Sequence, residues 1–376
     1  MRKYAVVTYI VLICFFKSSG LWAQNADTIG NWSLSAYADV YYALYSDSVG
    51  VGNFQKFPTV SPRSNSFGLN ILQISTQYNG SNIRAMAALH FGDIPSSTWS
   101  AKYNAIEEAH AGIKLLRTLW LDAGFFRTHF GTEFLLPKEN ITSSVSALTY
   151  YEPYYESGLR LNYDPSKNLE MNLFLLNGYG IYEDNNRKKS LGLGITYLIG
   201  DKGNIGYTNY LGDDSQDSAA LPHFRIANNV FLNYTLFNKL TLQVGGDVFF
   251  QQNSDIATGK REAMAYGWLA TEKYRFLPKF AVYDRVESFS DPQGFLSAIY
   301  TDKNGNLMGY KLNGITLGME YNPSANSYIR VEYRRLMMQN NEEIFRYNSQ
   351  NLDYRNDLMI NMGVYFDMVK GFETKK

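Results

Sequence analysis

Charged side chains occupy every second position in several otherwise apolar stretches of this 376-residue chain. Arg330, Glu332 and Arg334, for example, are separated by Val331 and Tyr333. A spacing of two places the charges on one face of a β-strand and the apolar side chains on the other. Such a row of charges has two possible roles. It can line a water-filled passage and select ions, or it can form cross-strand ion pairs that stiffen a wall.

The same alternation identifies a larger set of candidate residues. A charge that faces hydrocarbon at mid-bilayer costs roughly 2–4 kcal/mol for Arg or Lys. We therefore predict that the charged faces point into a lumen and that the apolar faces contact lipid. The predicted pore-lining residues are Arg84, Glu108, His110, Lys114, Asp122, Glu156, Arg160, Glu170, Arg330, Glu332 and Arg334. Those predicted to face lipid include Leu159, Leu161, Leu173, Ile329 and Val331. Because the lumen charges have mixed signs, no strong preference for anions or cations is expected.

Alternating stretches of about ten residues, the length of a membrane-crossing strand, recur from residue 34 to the C-terminal region. We predict sixteen strands, at residues 34–45, 67–78, 83–91, 105–115, 119–126, 154–163, 169–179, 189–198, 203–211, 224–236, 239–251, 261–273, 280–289, 311–321, 327–337 and 357–368. Short and long breaks alternate between them. The predicted fold is therefore all-β: a transmembrane, antiparallel, up-and-down β-barrel with its short turns in the periplasm.

One predicted strand does not alternate cleanly. In residues 67–78, the apolar side chains of Leu72 and Ile74 share a face with Asn70. We predict a β-bulge or inward apolar packing at this point.

The predicted strand number sets the range of functions. Eight strands enclose little more than their own side chains, whereas sixteen to eighteen leave an aqueous channel. We therefore expect a porin-like channel for passive diffusion of small hydrophilic solutes or ions. Two alternatives stay open. The first is a non-conducting barrel that binds a surface ligand or partner through its outer loops. The second is an outer-membrane hydrolase, although no Gly-x-Ser-x-Gly motif is present.

The longest break, Arg127–Pro153, is the best local candidate for function, because loops of this length are usually functional or disordered. It is too apolar for disorder. Its large apolar side chains include Phe130, Phe134, Leu135, Leu136 and Ile141. We predict that the loop folds into the lumen as a constriction, the alternative being a cap on the outer rim.

The N-terminus predicts secretion. Arg2 and Lys3 precede the apolar run Tyr4–Phe16, and cleavage is expected near Ala23 or Gln24. We therefore assign residues 1–24 to a signal peptide and residues 25–376 to one barrel domain. Removing three positive residues leaves 32 positive against 35 negative ones, a net charge of −3. That balance argues against nucleic acid as a partner. Outer-membrane lipid is the expected surrounding, and a homo-oligomer is compatible with it.

Few residues are suited to catalysis or metal binding. The single cysteine, Cys14, lies within the predicted signal peptide. The four histidines, His90, His110, His129 and His223, show no zinc-ligand spacing. We therefore predict no catalytic residues, no metal and no cofactor.

Several motifs between residues 105 and 180 carry a family resemblance. They are the run Leu119–Phe126, then His129, Gly131, Glu133 and Asn140, the run Glu152–Leu161, and Leu175–Gly178. In these positions the chain resembles the β-barrel porin-2 (OmpL-like) family. The resemblance implies an outer-membrane, porin-like channel of a Gram-negative bacterium. It implies no catalytic residues and no defined substrate.

Overall fold

The fold is described from a computed structural model, which covers residues 29–47, 54–55 and 59–373. The predicted signal peptide, including Cys14, lies outside the described residues. No helix in the described part of the chain is long and apolar enough to cross a membrane.

Sixteen strands form one closed barrel. They are β1 (Ile29–Tyr45), β2 (Ser66–Gly80), β3 (Ile83–Phe91), β4 (Ile106–Leu116), β5 (Leu119–Arg127), β6 (Tyr155–Ser166), β7 (Leu169–Leu176), β8 (Ser190–Leu198), β9 (Gly203–Asp213), β10 (Phe224–Leu236), β11 (Leu240–Gln251), β12 (Ala263–Leu277), β13 (Phe280–Ser290), β16 (Lys311–Tyr321), β17 (Ser327–Met338) and β20 (Tyr354–Glu373). Labels follow chain order. Two hairpins in the loops are β14 (Ile299–Thr301) with β15 (Leu307–Gly309), and β18 (Phe345–Tyr347) with β19 (Gln350–Leu352).

The barrel closes where β1 pairs with β20, from Ile29 opposite Glu373 to Tyr45 opposite Asp357. Every other barrel strand pairs with its neighbours in chain order, and every pair is antiparallel. Closure leaves no unpaired strand edge facing lipid. The predicted sixteen-stranded, up-and-down barrel is confirmed. Its largest boundary differences lie at this seam, where both strands extend beyond the predicted ends.

Two bulges flank β3 and direct extra polar groups inward. In β2, Asp39 pairs with Ile71 and Val40 with Leu69, which leaves Asn70 without an opposite residue. In β4, Glu107 is skipped between Glu108 and Ile106. Because a bulge adds one residue to one strand, it shifts the facing of the residues around it. The irregularity predicted at Asn70 is therefore a β-bulge. Both Asn70 and Glu107 are buried.

The outer wall is apolar, as predicted for a surface that contacts lipid. Leu159, Leu173 and Val331 expose 41%, 50% and 47% of their surfaces there. One departure concerns β12 and β13. Asp284 pairs with Glu272 and with the exposed Leu317, so two carboxylates share the outer face. Asp284 is the fifth of the eleven residues of β13 and Glu272 the tenth of the fifteen of β12, so this pair interrupts the apolar outer wall away from the strand ends.

All short connections lie at one end of the barrel and all long ones at the other. The long loops contain two short α-helices, α1 (Asp93–Thr98) and α2 (Ala147–Tyr150), together with the two hairpins. None of these four elements was predicted. The break between β5 and β6, residues 128–154, is the longest between consecutive barrel strands.

Candidate pore constriction

The loop between β5 and β6, residues 128–154, folds into the barrel, and we name it the inserted loop. It has little regular structure apart from α2 and a 3-10 helix at Pro137–Glu139. Its backbone N–H and C=O groups therefore need partners from elsewhere, and the inner wall provides them. Thr132 reaches β11, where a Cβ at Gly245 would lie 2.0 Å from its Oγ1. Glycine at that position thus gives the loop room to approach. The inward fold expected from the loop's apolar content is the one observed.

Arg285 of β13 holds the middle of the loop. Its Nη1 donates to Glu133 Oε1 at 2.8 Å, to Thr142 Oγ1 at 2.9 Å and to the Ser144 carbonyl oxygen at 2.7 Å. The side chains of Arg285 and Glu133 have no solvent exposure. Because a buried charge must be paired and hydrogen-bonded to be tolerated, this cluster holds the loop in one position against the wall.

Two predicted pore-lining residues of β17 bind the loop backbone with opposite polarity. The Arg330 guanidinium donates to three carbonyl oxygens at 2.8–3.0 Å, those of Pro137, Asn140 and Thr142. The Glu332 carboxylate accepts the N–H groups of Ser143 and Ser144 at 2.6 and 3.0 Å. Arg330 thus provides donors for the carbonyl groups of this irregular segment, and Glu332 provides acceptors for its N–H groups.

Arg334, the third predicted residue of β17, acts through Glu287 of β13. Its Nε and Nη2 donate to Glu287 Oε1 at 3.0 and 2.7 Å. The other Glu287 oxygen accepts the N–H of Ala147, the first residue of α2, at 2.6 Å. The inner wall on this side is therefore a network of ion pairs that ends on the loop.

Apolar packing completes the contact at the long-loop end. Phe130 of the loop packs against Phe249 of β11, with 5.7 Å between ring centroids. Tyr151 stacks on Phe289 of β13 at 4.9 Å. Phe130 and Leu148 belong to a buried cluster inside the barrel. The loop thus buries most of its large apolar side chains inside the barrel, although Phe134 stays half-exposed.

His129 fastens the start of the loop. Its Nδ1 lies 2.8 Å from Glu156 Oε2, and its Nε2 lies 2.8 Å from the carbonyl oxygen of Asn209. A carboxylate and a carbonyl oxygen are both acceptors. The imidazole therefore donates from both ring nitrogens and must carry a proton on each. Burial disfavours its charged form, but the Glu156 carboxylate and the Asn209 carbonyl raise the pKa of His129 above its usual value.

A second charged cluster lies on the inner wall formed by β3, β5 and β6. Asp122 accepts from Arg84 Nε at 2.6 Å and from Arg160 Nε at 3.1 Å. The two guanidinium groups also lie over aromatic rings, Arg84 over Trp120 and Arg160 over Phe126. One buried carboxylate therefore orients two cations that remain partly exposed, with 19% and 24% of their side chains accessible.

The eleven predicted pore-lining residues fall into two groups. Six are partly or fully exposed: Arg84, Glu108, His110, Lys114, Arg160 and Glu170. Five are buried: Asp122, Glu156, Arg330, Glu332 and Arg334. Glu156, Arg330 and Glu332 bind the inserted loop, Asp122 binds two arginines, and Arg334 binds Glu287. Pore lining is thereby limited to the first group, for which it stays a prediction.

Sequence reasoning missed Arg285 and Glu287, which hold the loop. Alternation does place them on one face, together with Tyr283. The signal was obscured because Asp284 puts a charge on the opposite face of the same strand. Charges on both faces remove the contrast that indicates which side is the lumen.

No group of three or more His, Cys, Asp and Glu side chains that could hold a metal ion occurs in the described part of the chain. The arrangement within the barrel is one of ion pairs and backbone contacts, and its chemistry is electrostatic.

A closed barrel of sixteen strands, with a charged inner wall and a loop folded into the lumen, defines a bacterial outer-membrane β-barrel of the porin type. The family model described as "Putative beta-barrel porin-2, OmpL-like" matches residues 31–366. The chain belongs to this family, as the motifs of residues 105–180 predicted, and the outer membrane is its location. No curated protein matches the chain.

Solved structures of outer-membrane channels are similar in fold. The anion-selective porin from Comamonas acidovorans is 9% identical, with 90% of this chain and 100% of that chain covered and a TM-score of 0.61. The channel DcaP of Acinetobacter baumannii is 12% identical, with 90% and 97% covered and a TM-score of 0.58. OprB of Pseudomonas putida, in its high-pH structure, is 8% identical, with 90% and 95% covered and a TM-score of 0.57. At these identities the likeness shows the barrel fold alone.

Proposed function

We propose that this protein is a channel for the passive diffusion of small hydrophilic solutes across the outer membrane, with the inserted loop as its constriction. Family membership supports a porin-like role. The observation that carries the proposal is the difference between the two sides of the lumen. The inward-facing charges of β13 and β17 are buried against the loop or its ion-pair partners, whereas Arg84 of β3 and Arg160 of β6 keep solvent contact.

We place the solute path between the loop and the wall formed by β3 to β6. Arg84, Arg160 and Glu108 expose their charges there. On the loop side, Glu139 is also partly exposed and pairs with Arg127. Cations and anions thus face each other across this path. A polar lining of both signs favours passage of small hydrophilic solutes over apolar ones.

Conductance in planar bilayers tests the proposal. Purified protein should form discrete ion-conducting steps, and neutral polymers of increasing size should stop reducing the conductance at one defined radius. Heat-denatured protein from the same preparation is the control for detergent artefacts. A folded barrel that inserts into the bilayer without conducting would refute a diffusion channel.

A second candidate function is the binding of a surface ligand or partner by a barrel that does not conduct. Two observations favour it. Fourteen described side chains of one buried apolar cluster pack inside the barrel, and the loops carry a polar cleft of about 400 Å³ between the two hairpins. The cleft is lined by residues such as Tyr300, Asp302, Lys303 and Glu343. The conductance measurement decides between the two functions.

We also propose that residues 1–24 are removed as a signal peptide and that the barrel forms a homo-oligomer. One similar structure, OmpT of Vibrio cholerae, is described in a trimer form, at 11% identity and a TM-score of 0.55. N-terminal sequencing of the mature protein tests the first statement. The second requires a mass above that of one chain in native mass spectrometry from detergent.

A further inference from the structure

A cavity of about 550 Å³ lies below the tip of the inserted loop, at the short-turn end of the barrel. Lys138 and Asn140 of the loop form its roof, and the turns after β12 and β16 frame its mouth. This volume lies within the range of ligand pockets. It is separate from the wall between β3 and β6, along which we place the solute path.

The side chains that line the cavity have a large excess of positive charge. Five cationic side chains line it against a single carboxylate, Glu320, so the lining carries a formal charge of 5 − 1 = +4. The five cations are Lys138, Lys273, Arg275, Lys279 and Arg330. This excess departs from the mixed signs that the sequence predicted for the lumen as a whole.

Glu320 cannot balance its neighbours. Its Oε1 lies 2.5 Å from Lys273 Nζ and 3.4 Å from Arg275 Nη2, and its Oε2 lies 2.8 Å from Arg330 Nε. Three cations therefore share one carboxylate that is almost fully buried. Charges held in a partly desolvated site are stable only when they are compensated.

The two remaining cations have neutral acceptors. Lys138 Nζ donates to the side-chain oxygen of Gln73 at 2.8 Å, and Lys279 Nζ donates to the carbonyl oxygen of Pro323 at 3.0 Å. An ammonium group has three donors, so each lysine can also donate toward the cavity. Converging ammonium and guanidinium donors are the groups that bind phosphate oxygens.

We propose that this cavity binds a small multivalent oxyanion of the phosphate class, either free phosphate or a phosphate monoester. A doubly charged group would bridge Lys273 and Arg275, which lie together on β12. It would also contact the two other lysines of the lining, Lys138 and Lys279. The inference deepens the proposed function by naming a solute class, and it depends on that function only for the route by which the anion arrives. Charge focused at the mouth of a low-dielectric cavity also raises the local concentration of anions.

Isothermal titration calorimetry of the full-length mature protein in uncharged detergent tests the site. Inorganic phosphate, glucose 6-phosphate and succinate are titrated separately, at ionic strength held constant with potassium chloride. We expect saturable binding of phosphate or of the ester. The tighter of the two identifies the source of the group. Binding of succinate without either phosphate compound would overturn the proposal.

The variant Lys273→Gln/Arg275→Gln should weaken phosphate binding by about tenfold or more, since it removes two charged donors to the anion. Lys202→Gln/Lys239→Gln, in short turns outside the cavity lining, removes the same charge and should leave the dissociation constant unchanged. Lys273→Arg keeps the charge beside Glu320 and should retain binding. Each variant is first checked for folding by its heat-dependent mobility on gels.

Equal weakening by both double variants would indicate only a diffuse charge effect and would overturn the site, as would the absence of saturable binding. Because the titration needs no conduction, its failure is separable from that of the channel. If the protein binds phosphate but does not conduct, the binding site is supported and the channel is refuted. If it conducts but does not bind phosphate, the channel is supported and the binding site is refuted.

Discussion

The Arg285 guanidinium of β13 and the Glu133 carboxylate of the inserted loop form an ion pair of 2.8 Å in which neither side chain is exposed to solvent. The two residues are 152 positions apart in the chain. Because the same guanidinium also binds Thr142 and Ser144, this contact joins both limbs of the loop to the barrel wall.

Arg285→Met should destabilise the folded barrel by about 3–5 kcal/mol, because removing one partner leaves a buried, uncompensated charge. The measurement is the free energy of unfolding in urea, for protein refolded into lipid vesicles. Arg187→Met is the matched control, since Arg187 is 95% exposed in an outer loop, and it should change stability by less than about 0.5 kcal/mol. Equal losses in both variants would show that Arg285 has no special role.

Deleting residues 135–146 should raise single-channel conductance, because the deletion removes the part of the inserted loop that bonds to β17. Single-channel recording in planar bilayers measures it. Deletion of Asp302–Asn306, the tip of the β14–β15 hairpin, is the control and should leave conductance unaltered. If the shortened barrel folds and conducts like the parent, the loop is no constriction.

Arg160→Glu should shift ion selectivity toward cations, because Arg160 keeps solvent contact on the wall where we place the path. A charge in a narrow passage with low-dielectric walls acts more strongly than one in a wide vestibule. The reversal potential in a potassium chloride gradient measures the shift, and Arg160→Gln should give about half of it if the lost and gained charges act additively. Arg117→Glu, in the exposed turn between β4 and β5, should have little effect. Equal shifts from the residue 160 and 117 substitutions would place the selective region elsewhere.

The His129–Glu156 bond should stabilise the barrel below neutral pH and weaken above it. The pKa of His129 is raised from its ordinary value of 6.5 in the folded state. The contribution of the His129–Glu156 bond to the free energy of unfolding is therefore complete below about pH 6.5. It is lost as the pH rises through the pKa of His129 in the folded state. The difference in unfolding free energy between the parent and His129→Gln should shrink from pH 5.5 to pH 9.5. A difference that stays constant over this range would mean that the imidazole does not titrate there.

Single cysteines at positions 159 and 160 should report the two faces of β6. If the predicted signal peptide is removed, the mature chain has no cysteine of its own. A membrane-impermeant thiol reagent should label Arg160→Cys, which faces the lumen, and should spare Leu159→Cys, which faces lipid. Labelling rates in intact proteoliposomes measure this difference. Faster labelling at 159 than at 160 would reverse the assignment of faces.

The sequence alone determined the barrel. Alternation with a period of two is a local property, repeated in most of the sixteen strands. Residues 119–126, for example, already place Trp120 and Asp122 opposite Leu121 and Ala123. Because charge is excluded from hydrocarbon, this pattern also indicates which face of most strands is the lumen. It failed at Asp284, where a charge lies on the outer face.

The tertiary structure decided what fills the lumen. The loop's apolar residues required burial, but only the folded barrel shows that Arg285, Arg330 and Glu332 bind its backbone from across the interior. Alternation predicts that Arg330 and Glu332 line a water-filled pore, whereas both are covered by the loop. The cationic cavity likewise depends on β12, β17 and the loop meeting in space. Contacts between groups more than one hundred residues apart produce no periodic pattern in the sequence. They depend on how the inserted loop packs inside the closed barrel.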